Sequence, residues 1–83
     1  MSFEEAKIFF KLAGAIYYKV YSVSYIYKLS YDTEPFCCHF FNEDGHEIGY
    51  YHYVLKSYHV FDEPRVWSVE FLNNKSYSNQ IAL

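Results

Sequence analysis

Glycine and proline are scarce, three and two in 83 residues, and this excludes a low-complexity or linker-like chain. A glycine-rich loop that could cradle phosphate is absent. The two cysteines, Cys37 and Cys38, are adjacent and form no C-x-x-C pattern. Neighbours on a strand point to opposite faces, so a disulfide between them would need strained geometry. The N-terminus reads Met-Ser-Phe-Glu-Glu-Ala-Lys, acidic where a secretion signal is basic, and the expectation is a chain that stays in a reducing cytosol. Lys7, Lys11, Lys19 and Lys28 interrupt every apolar run before it reaches the ~18 residues of a membrane span. Basic charge is also short. Seven Lys and Arg stand against ten acids, for a net charge of −3, which argues against phosphate-backbone binding as the main task.

Aromatic residues are abundant. Eleven Tyr, eight Phe and one Trp make up 24% of the chain, and hydrophobic residues 52%, so disorder is excluded. A chain this short is one domain, residues 1–83, and buries only ~60% of its unfolded surface. A ring buries roughly 150–250 Å², so a few suffice for a small core. The remaining Tyr residues, apolar in body and polar at the tip, fit strand surfaces and interfaces.

Charge is unevenly spread. Residues 32–70 carry eight acids against Lys56 and Arg65, a net −6, while the rest of the chain is net +3. Seven acids, Asp32, Glu34, Glu43, Asp44, Glu47, Asp62 and Glu63, fall in or beside three expected turns. Turns attract Asp for local reasons. In a meander, the first and third of these turns would share one end of the sheet and the second would take the other.

Ser2-x-x-Glu5 is a capping box ahead of apolar residues at Phe3, Ala6, Phe9, Phe10, Ala13, Ile16, Tyr17 and Val20, spacings that predict a helix over about 3–20. A stop at Gly14, with strand beginning there, is the competing boundary. Alternation from Ser24 predicts a strand over about 24–31, Phe36 to Phe41 another, Glu47 to Phe61 a third that could divide in two, and Arg65 to Leu72 a last, with Trp67, Val69 and Phe71 on one face. Turns are expected at Asp32-Thr33-Glu34-Pro35, at Asn42-Glu43-Asp44-Gly45 and at Asp62-Glu63-Pro64, with a polar tail over 73–83. The fold class is therefore α+β: one amphipathic helix on a four- to five-stranded antiparallel meander. Its second sheet face carries many rings with no layer expected over it.

Sites of chemistry are hard to find. His39, His46, His52 and His59 lie on or beside neighbouring strands, but their spacing fits no compact metal motif, and no metal or cofactor is expected. The Asn42-Gly45 loop lacks both the first acid and the final glutamate of a calcium loop. Histidine pairs could serve acid–base chemistry on RNA, but a phosphodiester would have to approach a segment of net −6. Cys38 and His39 point apart along a strand and form no dyad. Tyr25, Tyr27, Tyr50 and Tyr51 could stack bases, but the basic and glycine residues of such sheets are absent.

The expectation left standing is a small acidic, non-enzymatic protein that binds a basic protein partner. Glu43, Asp44, Glu47, Asp62 and Glu63 would steer the encounter, and Tyr50, Tyr51 and Tyr53 would anchor it. An immunity protein or antitoxin that neutralises a nuclease toxin has this character, as does a phage-type inhibitor of a host defence complex. A homodimeric module pairing an aromatic sheet face or edge with itself is the alternative. Direct nucleic-acid and membrane contacts are not expected.

Overall fold

Ser2 starts the helix as read. In the computed structural model, which describes residues 1–24 and 33–83, Ser2 Oγ accepts from the Glu5 N–H at 3.1 Å, and Glu5 Oε1 accepts from the Ser2 N–H at 3.3 Å. Helix α1 spans Phe3–Leu12 and ends well before residue 20. The stop is Gly14, whose φ of +106° suits glycine. The Ala15 N–H then reaches back to the Phe10 carbonyl at 2.9 Å and the Gly14 N–H to the Lys11 carbonyl at 3.2 Å, the paired bonds of a Schellman cap. The competing boundary at Gly14 is the one the chain adopts. Residues 17–20, whose spacing continued the helical stripe, belong to a strand.

Among the described residues the sheet has five antiparallel strands: β1 Tyr17–Ser24, β2 Thr33–Phe41, β3 Glu47–His52, β4 Ser57–Arg65 and β5 Ile81–Ala82. Their order is β4-β3-β2-β1-β5, so the first four form a meander and the last two residues of strand close on β1. The α+β architecture with a helix on an antiparallel meander is what the sequence predicts. Several boundaries differ. The strand expected over 24–31 falls, after Ser24, outside the described residues, as do Tyr25, Tyr27 and Asp32. Thr33, Glu34 and Pro35 do not turn but open β2. The segment from Glu47 to Phe61, which could run on or divide in two, divides at Tyr53–Lys56, where Lys56 takes a φ of +52°. Asp62, Glu63 and Pro64 do not reverse the chain; they lie within β4. A register shift opposite Glu47 and Gly49 absorbs the extra residues there. Arg65 to Leu72 is not a strand: β4 ends at Arg65, and Val69–Leu72 is a one-turn helix, α2, capped by Ser68 Oγ accepting from the Phe71 N–H. The tail is not wholly irregular, because Ile81 and Ala82 pair with Tyr18 and Tyr17.

The core beneath α1 consists of Ala6, Phe10, Ala15, Cys38, Phe40 and Tyr51. Phe10 stacks on Phe40, ring centroids 4.2 Å apart at 10°. Truncating a buried Phe costs about 3–5 kcal/mol, so this pair is a large share of the stability of so small a protein.

The second face is not bare. The segment after β4 returns across it and places Trp67 and Tyr77 over β2, with Phe71 against Trp67. Trp67 packs on Phe41 (4.9 Å), and Tyr77 packs on His39 (5.5 Å) and Tyr21 (4.9 Å). Backbone bonds tie the segment to β1, from Ser22 N–H to the Ser76 carbonyl and from Ser78 N–H to the Val20 carbonyl. Among the described residues no helix is long and apolar enough to cross a membrane.

Candidate functional site

Alternation along β2 sends Cys38 and Phe40 to the helix core and leaves Cys37 and His39, two residues apart, on the second face. The register then supplies His39 with neighbours: Lys19 on β1 and Tyr50 on β3 stand opposite it. The hairpin Asn42–Gly45 brings Glu47 back to the same face. Its turn is built by Asn42, whose Oδ1 accepts from the N–H groups of Asp44 and His46, both at 3.0 Å, and by Gly45 at φ +78°.

The result is a hydrogen-bonded relay. His39 Nδ1 lies 2.7 Å from Glu47 Oε2, and His39 Nε2 lies 3.2 Å from Cys37 Sγ. Glu47 Oε1 accepts the indole N–H of Trp67 at 2.8 Å. Glu47 is only 5% exposed, so both carboxylate oxygens are satisfied inside the protein, as a buried carboxylate requires. Burial works against a charge on His39. The hydrogen bonds to Cys37 and Glu47 outweigh it and raise the imidazole pKa to about 9. At neutral pH the ring is an imidazolium and both nitrogens donate, Nδ1–H to Glu47 and Nε2–H to Cys37. On the opposite side of the strand, burial pushes the thiol of Cys38 far above the ordinary range.

A pocket of about 260 Å³ opens beside the relay. His39 and Glu47 form its polar floor, and Tyr50, Phe61, Trp67 and Tyr77 supply rings to its walls. Arg65, also on the wall, lies over the Phe61 ring at 4.0 Å.

The expected partner-binding residues do not form one surface. Glu43 and Asp44 are exposed at the tip of the β2–β3 hairpin, and Asp62 and Glu63 are exposed on β4. These four share one end of the sheet, because Arg65 pairs with Glu47 immediately behind the hairpin tip. The expected split of the second and third acidic segments between opposite ends is therefore corrected. Glu47 is buried in the relay and is no surface acid. Tyr51, 2% exposed, is core, its hydroxyl donating to the Met1 carbonyl at 2.8 Å. Tyr53 is half-buried against Phe3 on the helix side. Tyr50 is half-buried on the other face, near His59 and Phe61.

The four histidines disperse. His39 sits in the relay and His46 in the hairpin loop, while His52 Nδ1 accepts from the Leu55 N–H and His59 is exposed on β4. Among the described residues no group of three or more His, Cys, Asp or Glu side chains is placed around a common point for a metal ion. In the relay itself the thiol and the carboxylate lie on opposite sides of one ring. Cys38 and His39, the adjacent pair in sequence, point apart, and the partner of His39 is Cys37. The signal was there in Cys37-x-His39, a spacing that shares one face of a strand. Trp67 and Tyr77 had no comparable signal.

In comparison with known proteins, no family model, no curated protein and no solved structure matches this chain.

Proposed function

We propose that this chain is a small non-enzymatic protein that binds and inhibits a basic protein partner, docking through the acidic end of its sheet. One observation carries the reading: four exposed carboxylates, Glu43, Asp44, Asp62 and Glu63, gather at one end of the sheet beside β4. Among the described residues no strand pairs with the outer edge of β4. That edge exposes Tyr58 and Val60, with the Phe61 ring half-buried next to them. Acids at the rim would raise the association rate with a cationic surface, and edge side chains would supply contact area. A nuclease toxin is a partner of the right charge, which makes an immunity protein or antitoxin the form of inhibitor we favour. A phage-type inhibitor of a defence complex would use the same surface. The free thiols of Cys37 and Cys38 suit a reducing cytosol.

A second copy of the chain fits this edge poorly. Pairing β4 with itself antiparallel would bring Asp62 and Glu63 near their own copies, and Pro64 offers no N–H to a ladder.

Capture of partners from the native cell tests the proposal, with Glu43→Lys/Asp44→Lys and Asp62→Lys/Glu63→Lys as paired variants. A basic protein retained by the wild type, released by salt and lost from both variants supports it. Equal capture by all three proteins refutes the proposed surface. Sizing at low concentration decides the homodimeric alternative, which a strict monomer excludes.

A further inference from the structure

The relay on the second face has no part in that docking surface, yet it meets the requirements of an activated thiol. A nucleophilic sulfur needs a hydrogen-bond donor aimed at it, a group that fixes that donor, and access from outside. His39 Nε2 is 3.2 Å from Cys37 Sγ. Glu47 fixes the ring through Nδ1 at 2.7 Å, and Trp67 fixes Glu47 in turn at 2.8 Å. Cys37 is only partly buried, whereas its neighbour Cys38 is sealed under α1. An order of sulfur, imidazole and carboxylate, each within hydrogen-bond reach of the next, is the arrangement that activates a thiol for attack.

We propose that Cys37 is a reactive thiol site, a nucleophile held by His39 and Glu47 that undergoes exchange with low-molecular-weight disulfides. In that reaction Cys37 attacks as the thiolate, its own proton already released to solvent, and bonds to one sulfur of the small disulfide. A new S–S bond forms to Cys37 as the old S–S bond breaks. The departing thiolate takes a proton from His39 Nε2 and leaves as a thiol, and the ring remains neutral with its Nδ1–H on Glu47. Attack by a second small thiol on the mixed disulfide reverses the step and returns the proton to the ring. The oxidant is the small disulfide itself, and one equivalent is consumed per chain. Cys38 takes no part, because it lies on the opposite face of β2 under the helix.

The test uses the folded protein with oxidised glutathione at pH 7, read by intact mass and by fragmentation that separates Cys37 from Cys38. A synthetic peptide covering residues 33–41 is the unstructured standard. The expected result is one glutathionyl group per chain, on Cys37, formed about tenfold or more faster than on the peptide. His39→Gln should lose most of that acceleration, and Glu47→Gln part of it. Modification at Cys38, or a Cys37 no faster than the peptide, would overturn the proposal. So would an unchanged rate in folded His39→Gln. If either variant fails to fold, the comparison of wild type with peptide decides the matter alone.

Discussion

Phe10 occupies the space that a side chain on Gly49 would fill. A Cβ built on Gly49 would approach the Phe10 ring to 2.6 Å and would also strike the His59 carbonyl on β4. The bare backbone at Gly49, opposite Phe40 in the β2–β3 register, is what lets Phe10 lie flat on Phe40.

Gly49→Ala should therefore destabilise the fold by about 1–3 kcal/mol, the usual cost of overpacking a well-filled core. The measurement is a urea unfolding midpoint. A variant as stable as the wild type would show that the helix can lift from the sheet at little cost.

Gly14 makes a different demand. Nothing lies within 4 Å of a Cβ placed there, so the objection to a side chain is conformational: φ is +106°. Gly14→Ala should cost about 1–2 kcal/mol through backbone strain alone. Circular dichroism and thermal melting should show lower stability with the same folded spectrum.

The buried relay makes stability depend on pH. Folding raises the His39 pKa from about 6.5 to about 9, so the folded state holds the proton more tightly than the unfolded state. The associated stabilisation is complete below about pH 6.5 and is lost as pH rises through about 9, amounting to roughly 2–4 kcal/mol. Cys38 and Tyr53, whose buried thiol and phenol are shifted upward, add a further loss only at more alkaline pH. Denaturant midpoints at pH 6 and pH 9 should differ in the wild type, and the difference should shrink in His39→Gln. A flat wild-type profile over that window would contradict the relay.

Trp67→Phe keeps a ring over Phe41 but removes the donor to Glu47 Oε1. A buried carboxylate oxygen without its partner costs about 1–3 kcal/mol. The loss should be smaller in the Glu47→Gln background, because a neutral amide is less costly to leave unpaired. A double-mutant cycle measures that coupling.

What was legible in the sequence follows from how locally each signal is set. Ser2 and Glu5 cap a helix across three residues, and Asn42 and Gly45 make a hairpin across four, so both were readable. The end of the helix pitted Gly14 against apolar residues at 16, 17 and 20 that kept helical spacing. The backbone preference of glycine prevailed, and those residues went to β1. Period-two alternation was hidden in β1 because both of its faces are covered: Tyr18 packs on Phe40 under the helix, and Tyr17 stacks on Phe41 on the other side. Asp62-Glu63-Pro64 has turn composition, yet a strand with an open edge and a bulge accommodates it. Trp67 and Phe71 fit a strand face by parity, but they are also four apart, and across one helical turn their rings meet at 5.9 Å. The relay needed knowledge that Glu47 and Trp67 converge on His39 from eight and twenty-eight positions away: the β2–β3 register supplies Glu47, and the fold-back of the segment after β4 supplies Trp67.

The layer over the second face has a consequence for motion. Strands β1 to β4 are joined to their neighbours by ladders of backbone pairing, each with one register shift, whereas residues 66–78 are attached chiefly by rings and by a short run of backbone bonds to β1. Amide protons should accordingly exchange in two tiers, those of β2 and β3 with global unfolding and those of the covering segment far sooner. Each such opening would bare the imidazole and the thiol to water while leaving the helix seated on its glycine.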